Sequence, residues 1–196
     1  MLFYVARGMC KLNKPFACIG QNQAYRKTLY NKIGFLKISD SIQGDDTLFL
    51  QLCMNEKIKV KFNDNPESFV NSRIESKISL LIKQRIRWAA DLKVMWNYNK
   101  FLYVLSLSTF FTNMLIILLI LDTLIINVFN NLELLFLILI LKLILEFLLF
   151  IIGNVKMKLR SNYFAFIFWF IFEIPYVVFM GLGSFFIQFI SWRGQN

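Results

Sequence analysis

The sequence predicts an α/β soluble half, joined through a basic amphipathic helix to an all-α transmembrane region of about three helices. Three patterns predict it. Residues 15–33 read as a short apolar strand, a Gly/Asn turn and a helix. Residues 69–96 interleave Ile74, Ile78, Leu81, Ile82, Ile86, Ala89, Val94 and Trp96 with Lys and Arg, the pattern of a basic helix, or two, lying in the headgroup plane. Beyond residue 100, three apolar runs are each long enough to cross a hydrocarbon core of about 30 Å.

Taken in order, Met1 to Ala6 reads as a strand or the tail of one. Pro15 to Ile19 forms the short apolar strand, Asn22 is a fitting N-cap for a helix from Gln23 to Ile33, and Gly34 is a fitting C′ residue. This is also what an ordinary strand-turn-helix connection looks like. Gly44-Asp45-Asp46 then opens a helix with apolar positions Leu48, Phe49, Leu50 and Leu52. Lys57 to Phe62 alternates strictly, which predicts a strand with one wet basic face and one buried face. Asn63 to Pro66 turns the chain into the basic helix.

The expected membrane spans are 101–121, 132–152 and 163–190. The second contains Lys142 and Glu146, which at i, i+4 can neutralise each other on one helix face; facing a polar channel is the sharper reading. In the third, Glu173 stands just before Pro175, which should kink the helix, and the acid suits either a functional or a packing role. Lys93 and Lys100 before the first span, and Lys156, Lys158 and Arg160 between the second and third, place both regions in the cytoplasm by the positive-inside rule, although Arg193 in the tail disagrees. The expected location is a bacterial-type cytoplasmic membrane with the soluble half inside the cell. No signal peptide is expected, because Arg7 and Gly8 interrupt the first apolar stretch.

Charge is uneven. Residues 1–100 hold seventeen Lys and Arg against eight Asp and Glu, and the remainder only five against four. A basic segment bordering an apolar block is explained by anionic lipid headgroups more simply than by nucleic acid. The chain has no histidine, and Cys10, Cys18 and Cys53 have no CxxC spacing, so the pattern does not point to a Cys/His zinc site, and histidine base catalysis is excluded. The thiols are expected to be reduced.

Two groups carry chemistry. Gln84, Arg87 and Trp88 stand at i, i+3 and i+4, so one helix face offers an amide, a guanidinium able to bind phosphate in a bidentate manner, and a flat indole. Such a face suits a ligand with a phosphate and a sugar ring. Asp45 and Asp46 at a helix start are explained by capping and by the helix dipole; alternatively, one holds position while the other takes a proton from a hydroxyl. A Gly-Asp-Asp triplet also occurs on a hairpin in RNA polymerases, but the helical pattern that follows argues against that use.

The order Phe16-Ala-Cys18-Ile-Gly20-Gln-Asn22-Gln-Ala24-Tyr25-Arg26, then Gly44-Asp45-Asp46, then Gln84-Arg-Ile-Arg87-Trp88, then membrane helices, resembles the membrane-bound family 2 glycosyltransferases, which include cellulose, chitin and hyaluronan synthases. The resemblance covers essentially the whole chain. It implies that residues 1–70 are the C-terminal part of a GT-A-type α/β catalytic domain, 71–100 an interfacial helix with the Gln-x-x-Arg-Trp motif, and 101–196 the transmembrane region. It implies Asp46 as general base with Asp45 beside it. Gln84, Arg87 and Trp88 would bind the nucleotide diphosphate and stack on the acceptor sugar, and the loop with Cys18, Gly20 and Asn22 would form the wall near the acceptor. The implied partners are a nucleotide-sugar donor, a glycan or lipid-linked acceptor and membrane lipid.

The resemblance also implies a divalent metal, Mg or Mn, held by an Asp-x-Asp in a nucleotide-binding βαβ half, but the sequence contains no Asp-x-Asp. The expectation is therefore a fragment, a split reading frame or one chain of a two-chain enzyme, with the donor-binding half on a separate chain and no sugar transfer by this chain alone. The contrasting expectation is a non-catalytic membrane partner or anchor in which Asp45-Asp46 only caps a helix.

Overall fold

The computed structural model describes residues 2–18, 20–33, 45–70, 75–126, 132–160 and 162–189. Among them eight α-helices follow in order: α1 (Leu2–Lys11), α2 (Lys27–Ile33), α3 (Asp45–Asn55), α4 (Ile78–Ala90), α5 (Leu92–Tyr98), α6 (Lys100–Leu121), α7 (Leu132–Met157) and α8 (Tyr163–Gly183).

No strand forms among the described residues, which overturns the expected α/β, GT-A-type half. A strand needs a neighbour to take up its N–H and C=O groups, and here the same residues find helical or loop solutions instead. Residues read as an N-terminal strand belong to α1, because Val5, Ala6 and Met9 come round to one side and pack with Phe16, Met95 and Leu102. The helix ends where Asn13 takes a left-handed φ of 57° and Lys14 N–H bonds the Met9 carbonyl at 2.9 Å. Residues 58–62 do alternate as expected, with Ile58, Val60 and Phe62 half-buried and Lys59 and Lys61 exposed, but the segment pairs with no strand among the described residues. Lys57 itself has φ 55° and closes α3, with Ile58 N–H on the Cys53 carbonyl at 3.0 Å.

The expected Gln23–Ile33 helix begins late, at Lys27. Asn22 is not its cap: the Asn22 amide donates to the Ser68 carbonyl at 3.0 Å. Tyr25 is drawn onto α3 instead, its ring 5.6 Å from Tyr30 and 4.7 Å from Phe49, which removes residues 23–26 from the helix. Gly34, Gly44 and residues 71–74 lie outside the described residues.

The basic stretch forms α4 and α5, which join through Asp91 with its backbone still helical (φ −58°, ψ −24°). Asn99 then breaks the path (φ −147°, ψ 81°), and its Oδ1 accepts the Leu102 N–H at 3.0 Å, starting α6.

Three helices are long and apolar enough to cross a membrane: Lys100–Ile125, Leu132–Met157 and Tyr163–Ile187. At about 1.5 Å per residue each exceeds the roughly 30 Å of hydrocarbon. The second runs past the expected end at Ile152 because Gly153 and Asn154 serve a contact: a Cβ on Gly153 would overlap the Tyr4 ring, and Tyr4 OH donates to Asn154 Oδ1 at 2.8 Å. So α1 docks directly on α7. In the same way a Cβ on Gly183 would stand 2.9 Å from Ile86 Cδ1, where α4 crosses the end of α8. Between α7 and α8, Lys142 is 8 % exposed and bonds both Glu146 and Glu173, so the i, i+4 pair is real but shares its ammonium with the acid beside Pro175. That places Glu173 in a cross-helix tie. The helix α8 continues through Pro175 to Gly183.

Candidate functional site

Asp46 is the second residue of α3, where backbone N–H groups lack helical partners. Its Oδ1 accepts the N–H of the next residue, Thr47, at 2.7 Å, which takes up one of these first-turn donors. Its Oδ2 accepts the Gly20 N–H at 2.8 Å, and the Cys18 thiol donates to the Asp46 carbonyl at 3.0 Å. The loop carrying Cys18 and Gly20 is thereby tied to the start of α3, and both carboxylate oxygens are fixed in direction. A Cβ on Gly20 would sit 3.6 Å from Asp46 Oδ2, an ordinary contact; what the loop supplies here is its N–H. Asp45 opens α3, and its side chain lies outside the described set.

A residue missed by the sequence reading registers these pieces. Gln51 is 2 % exposed, among Leu48, Phe49, Leu50 and Cys53 on a helix read as an apolar stripe. Its Nε2 donates to the Phe16 carbonyl at 3.1 Å, and its Oε1 accepts from Asn99 Nδ2 at 3.4 Å. One amide thus joins the loop before Cys18, the helix bearing Asp46 and the entry to the first membrane helix. The signal that could have found it is a lone polar residue within an otherwise apolar run.

Gln84, Arg87 and Trp88 stand on a different element, α4, which packs against α8 and the 3₁₀ segment Ser184–Phe189. Gln84 and Arg87 are half-buried and Trp88 is 41 % exposed. The Arg85 guanidinium lies 4.3 Å from the Trp88 ring centroid, over one indole face. Lys93 reaches from α5 to the Ser184 carbonyl at 3.1 Å and lies over the Phe185 ring, holding this end of α8 beside the motif helix.

Asn22, bonded to Ser68, stands next to a turn in which Asn65 caps Pro66–Ser68. The adjacent Asp64 bonds Arg7 at 2.7 Å, and that guanidinium holds its carboxyl below the ordinary range.

Among the described residues no group of three or more His, Cys, Asp or Glu side chains is placed to hold a metal ion, and the Asp46 carboxylate accepts from the Gly20 and Thr47 amides. These described residues do not fit a divalent metal site.

Three helices able to cross a bilayer define a membrane protein, and the Asp46 carboxylate held at the start of α3 is its candidate acid–base group. The sequence model of the glycosyl transferase family group 2 matches residues 2–183, and the chain belongs to that family. Membership gives the class of chemistry, in which a nucleotide-sugar donor and an acceptor are the reactants and divalent-metal dependence is the general expectation. No curated protein and no solved structure matches the chain.

Proposed function

We propose that the chain supplies the acceptor side of a membrane-bound, inverting glycosyltransferase of the polysaccharide-synthase kind, working at the cytoplasmic face. The observation that carries this is the Asp46 carboxylate, aimed by Gly20 and Thr47 in a chain of this family. Asp46 takes the proton of the acceptor hydroxyl as that oxygen attacks the anomeric carbon, and the nucleotide diphosphate leaves with the bonding pair. Asp45 stands beside it as the second carboxylate. Arg87 offsets charge on the leaving diphosphate, Gln84 bonds it, and the exposed indole of Trp88 gives the acceptor sugar an apolar surface. Cys18, Gly20 and Asn22 form the acceptor wall. Residues 1–70 then carry the acceptor wall, 71–100 the motif helix and 101–196 the anchor. The donor's metal ligands come from outside these 196 residues, since no Asp-x-Asp occurs in them.

One observation favours the contrasting reading of a non-catalytic anchor: Asp46 Oδ1 takes up the Thr47 N–H in the first turn of α3, a purely structural use of the carboxylate. A kinetic comparison in native membranes fed labelled nucleotide sugars separates the two. Catalysis predicts that Asp46→Asn lowers kcat about 10²-fold or more, the scale of a lost general base, while Trp88→Ala mainly raises the acceptor KM. An anchor predicts that neither variant changes transfer.

A further inference from the structure

We propose that a groove between α1, α7 and the start of α8 binds the phosphate headgroup of an anionic membrane lipid. The groove has a volume of about 320 Å³ and is open on one side. Its polar end is formed by Arg160, Asn162 and the Tyr4–Asn154 pair, and its apolar wall includes Phe166 and Trp169. It lies where two helices able to cross a membrane meet the connecting turn, the level at which a lipid changes from headgroup to chain.

Three features select the occupant. First, the guanidinium of Arg160 is exposed and has no carboxylate partner among the described residues. Second, Asn162 spends its Oδ1 on the Ala165 N–H at 3.0 Å, capping α8, so its NH₂ donors remain to face the groove. The positive end of the α8 dipole lies at the same point; it adds to the field without making a site by itself. Third, the groove floor is already satisfied internally: Tyr4 OH bonds Asn154 Oδ1 and Asn154 Nδ2 bonds the Phe150 carbonyl at 2.9 Å. The uncommitted groups are therefore donors and a cation, and they call for an anion.

Lys156 and Lys158 flank the same turn, and with Arg160 they make three of the five Lys and Arg beyond residue 100. An anion alone would leave the apolar side of the groove, where Leu159 is exposed beside Trp169, without a partner. A phosphate ester with an acyl or isoprenoid chain satisfies both ends, the guanidinium taking two phosphate oxygens and the aromatic wall taking the first part of the chain. This site does not depend on Asp46 acting as a base, and its test does not involve transfer.

The full chain, purified in detergent, is titrated calorimetrically with dihexanoyl phosphatidic acid, with dihexanoyl phosphatidylcholine and with inorganic phosphate. Saturable binding of the phosphatidic acid alone is expected. Arg160→Gln should weaken it about tenfold, the scale of a bidentate charge-assisted contact. Asn162→Ser keeps the cap but removes the amide donors, and should weaken binding to a lesser extent. Lys158→Gln removes a neighbouring charge outside the groove and should change it least. The proposal is overturned if phosphatidylcholine binds as tightly, which would mean an apolar groove only. It is equally overturned if inorganic phosphate competes at the same concentration, which would mean a free-phosphate site, or if Arg160→Gln and Lys158→Gln behave alike.

Discussion

Gln51 and Asp46 show how much of the site depends on single polar groups. Gln51→Leu removes the partner of both the Phe16 carbonyl and the Asn99 amide, and should cost about 2 kcal/mol, since buried groups left unpaired lose about 1–3 kcal/mol. A thermal melt of the full chain in detergent, followed by far-UV circular dichroism, checks this. Asp64 makes a pH prediction. Arg7 depresses its folded-state pKa, so the stability it contributes is present above the ordinary aspartate value of about 3.9 and is lost as pH falls through the depressed value. Melts between neutral and strongly acidic pH should show an acid-side loss that is smaller in Asp64→Asn; an unchanged profile would remove the tie from the account. Motif order pointed to Cys18, Gly20 and Asp46, and the structure does join these three by hydrogen bonds. Asn22 was misread because capping propensity is local, whereas the stacking of Tyr25 on Tyr30 and Phe49 that displaces the helix start is not. Gln51 was illegible because an apolar stripe is read by its apolar members, and a polar residue in it is assumed to face water.

The elements divide by whether their signal is local. The helices α3, α6, α7 and α8 were legible from apolar runs and helix-start residues, which act within a few turns. Strand character was not, because the alternation over 57–62 reports which side chains are covered and is silent on whether another strand lies alongside. The packing of α1 on α7 was also hidden, since it rests on one glycine 149 positions from Tyr4. Gly153→Ala should push the Tyr4 ring aside and destabilise by about 1–3 kcal/mol, the usual cost of overpacking, and Tyr4→Ala in the same chain should return part of it. Disulfide trapping between cysteines introduced on α1 and α7 would report that docking directly. The tie between α7 and α8 gives a sharper contrast. In Lys142→Met, Glu146 and Glu173 lose their shared ammonium, and breaking a buried ion group costs about 3–5 kcal/mol. Replacing all three with apolar residues of similar size should be far milder, as judged by the detergent melt; equal losses in the two variants would show that the contact itself matters little.

For the whole molecule, the expectation of an α/β half came from local strand patterns at residues 1–6, 15–19 and 57–62 together with family resemblance, and the described residues form helices and loops instead. The three helices able to cross a membrane were legible because bilayer thickness imposes a length that composition alone reveals. Family membership was legible for a different reason: short motifs in a fixed order survive where the surrounding fold does not announce itself, and the family model spans 2–183. These scales meet in the proposed function, in which a membrane-anchored chain presents Asp46 to the acceptor hydroxyl of a glycosyl transfer. The most direct test is sugar incorporation from labelled nucleotide sugars in native membranes whose only copy of the chain is wild type or Asp46→Asn, at matched levels in the membrane. The account predicts a fall of about 10²-fold or more for the variant, with its helical content intact. Equal incorporation by the two would contradict it and leave Asp46 with a structural role at the start of α3.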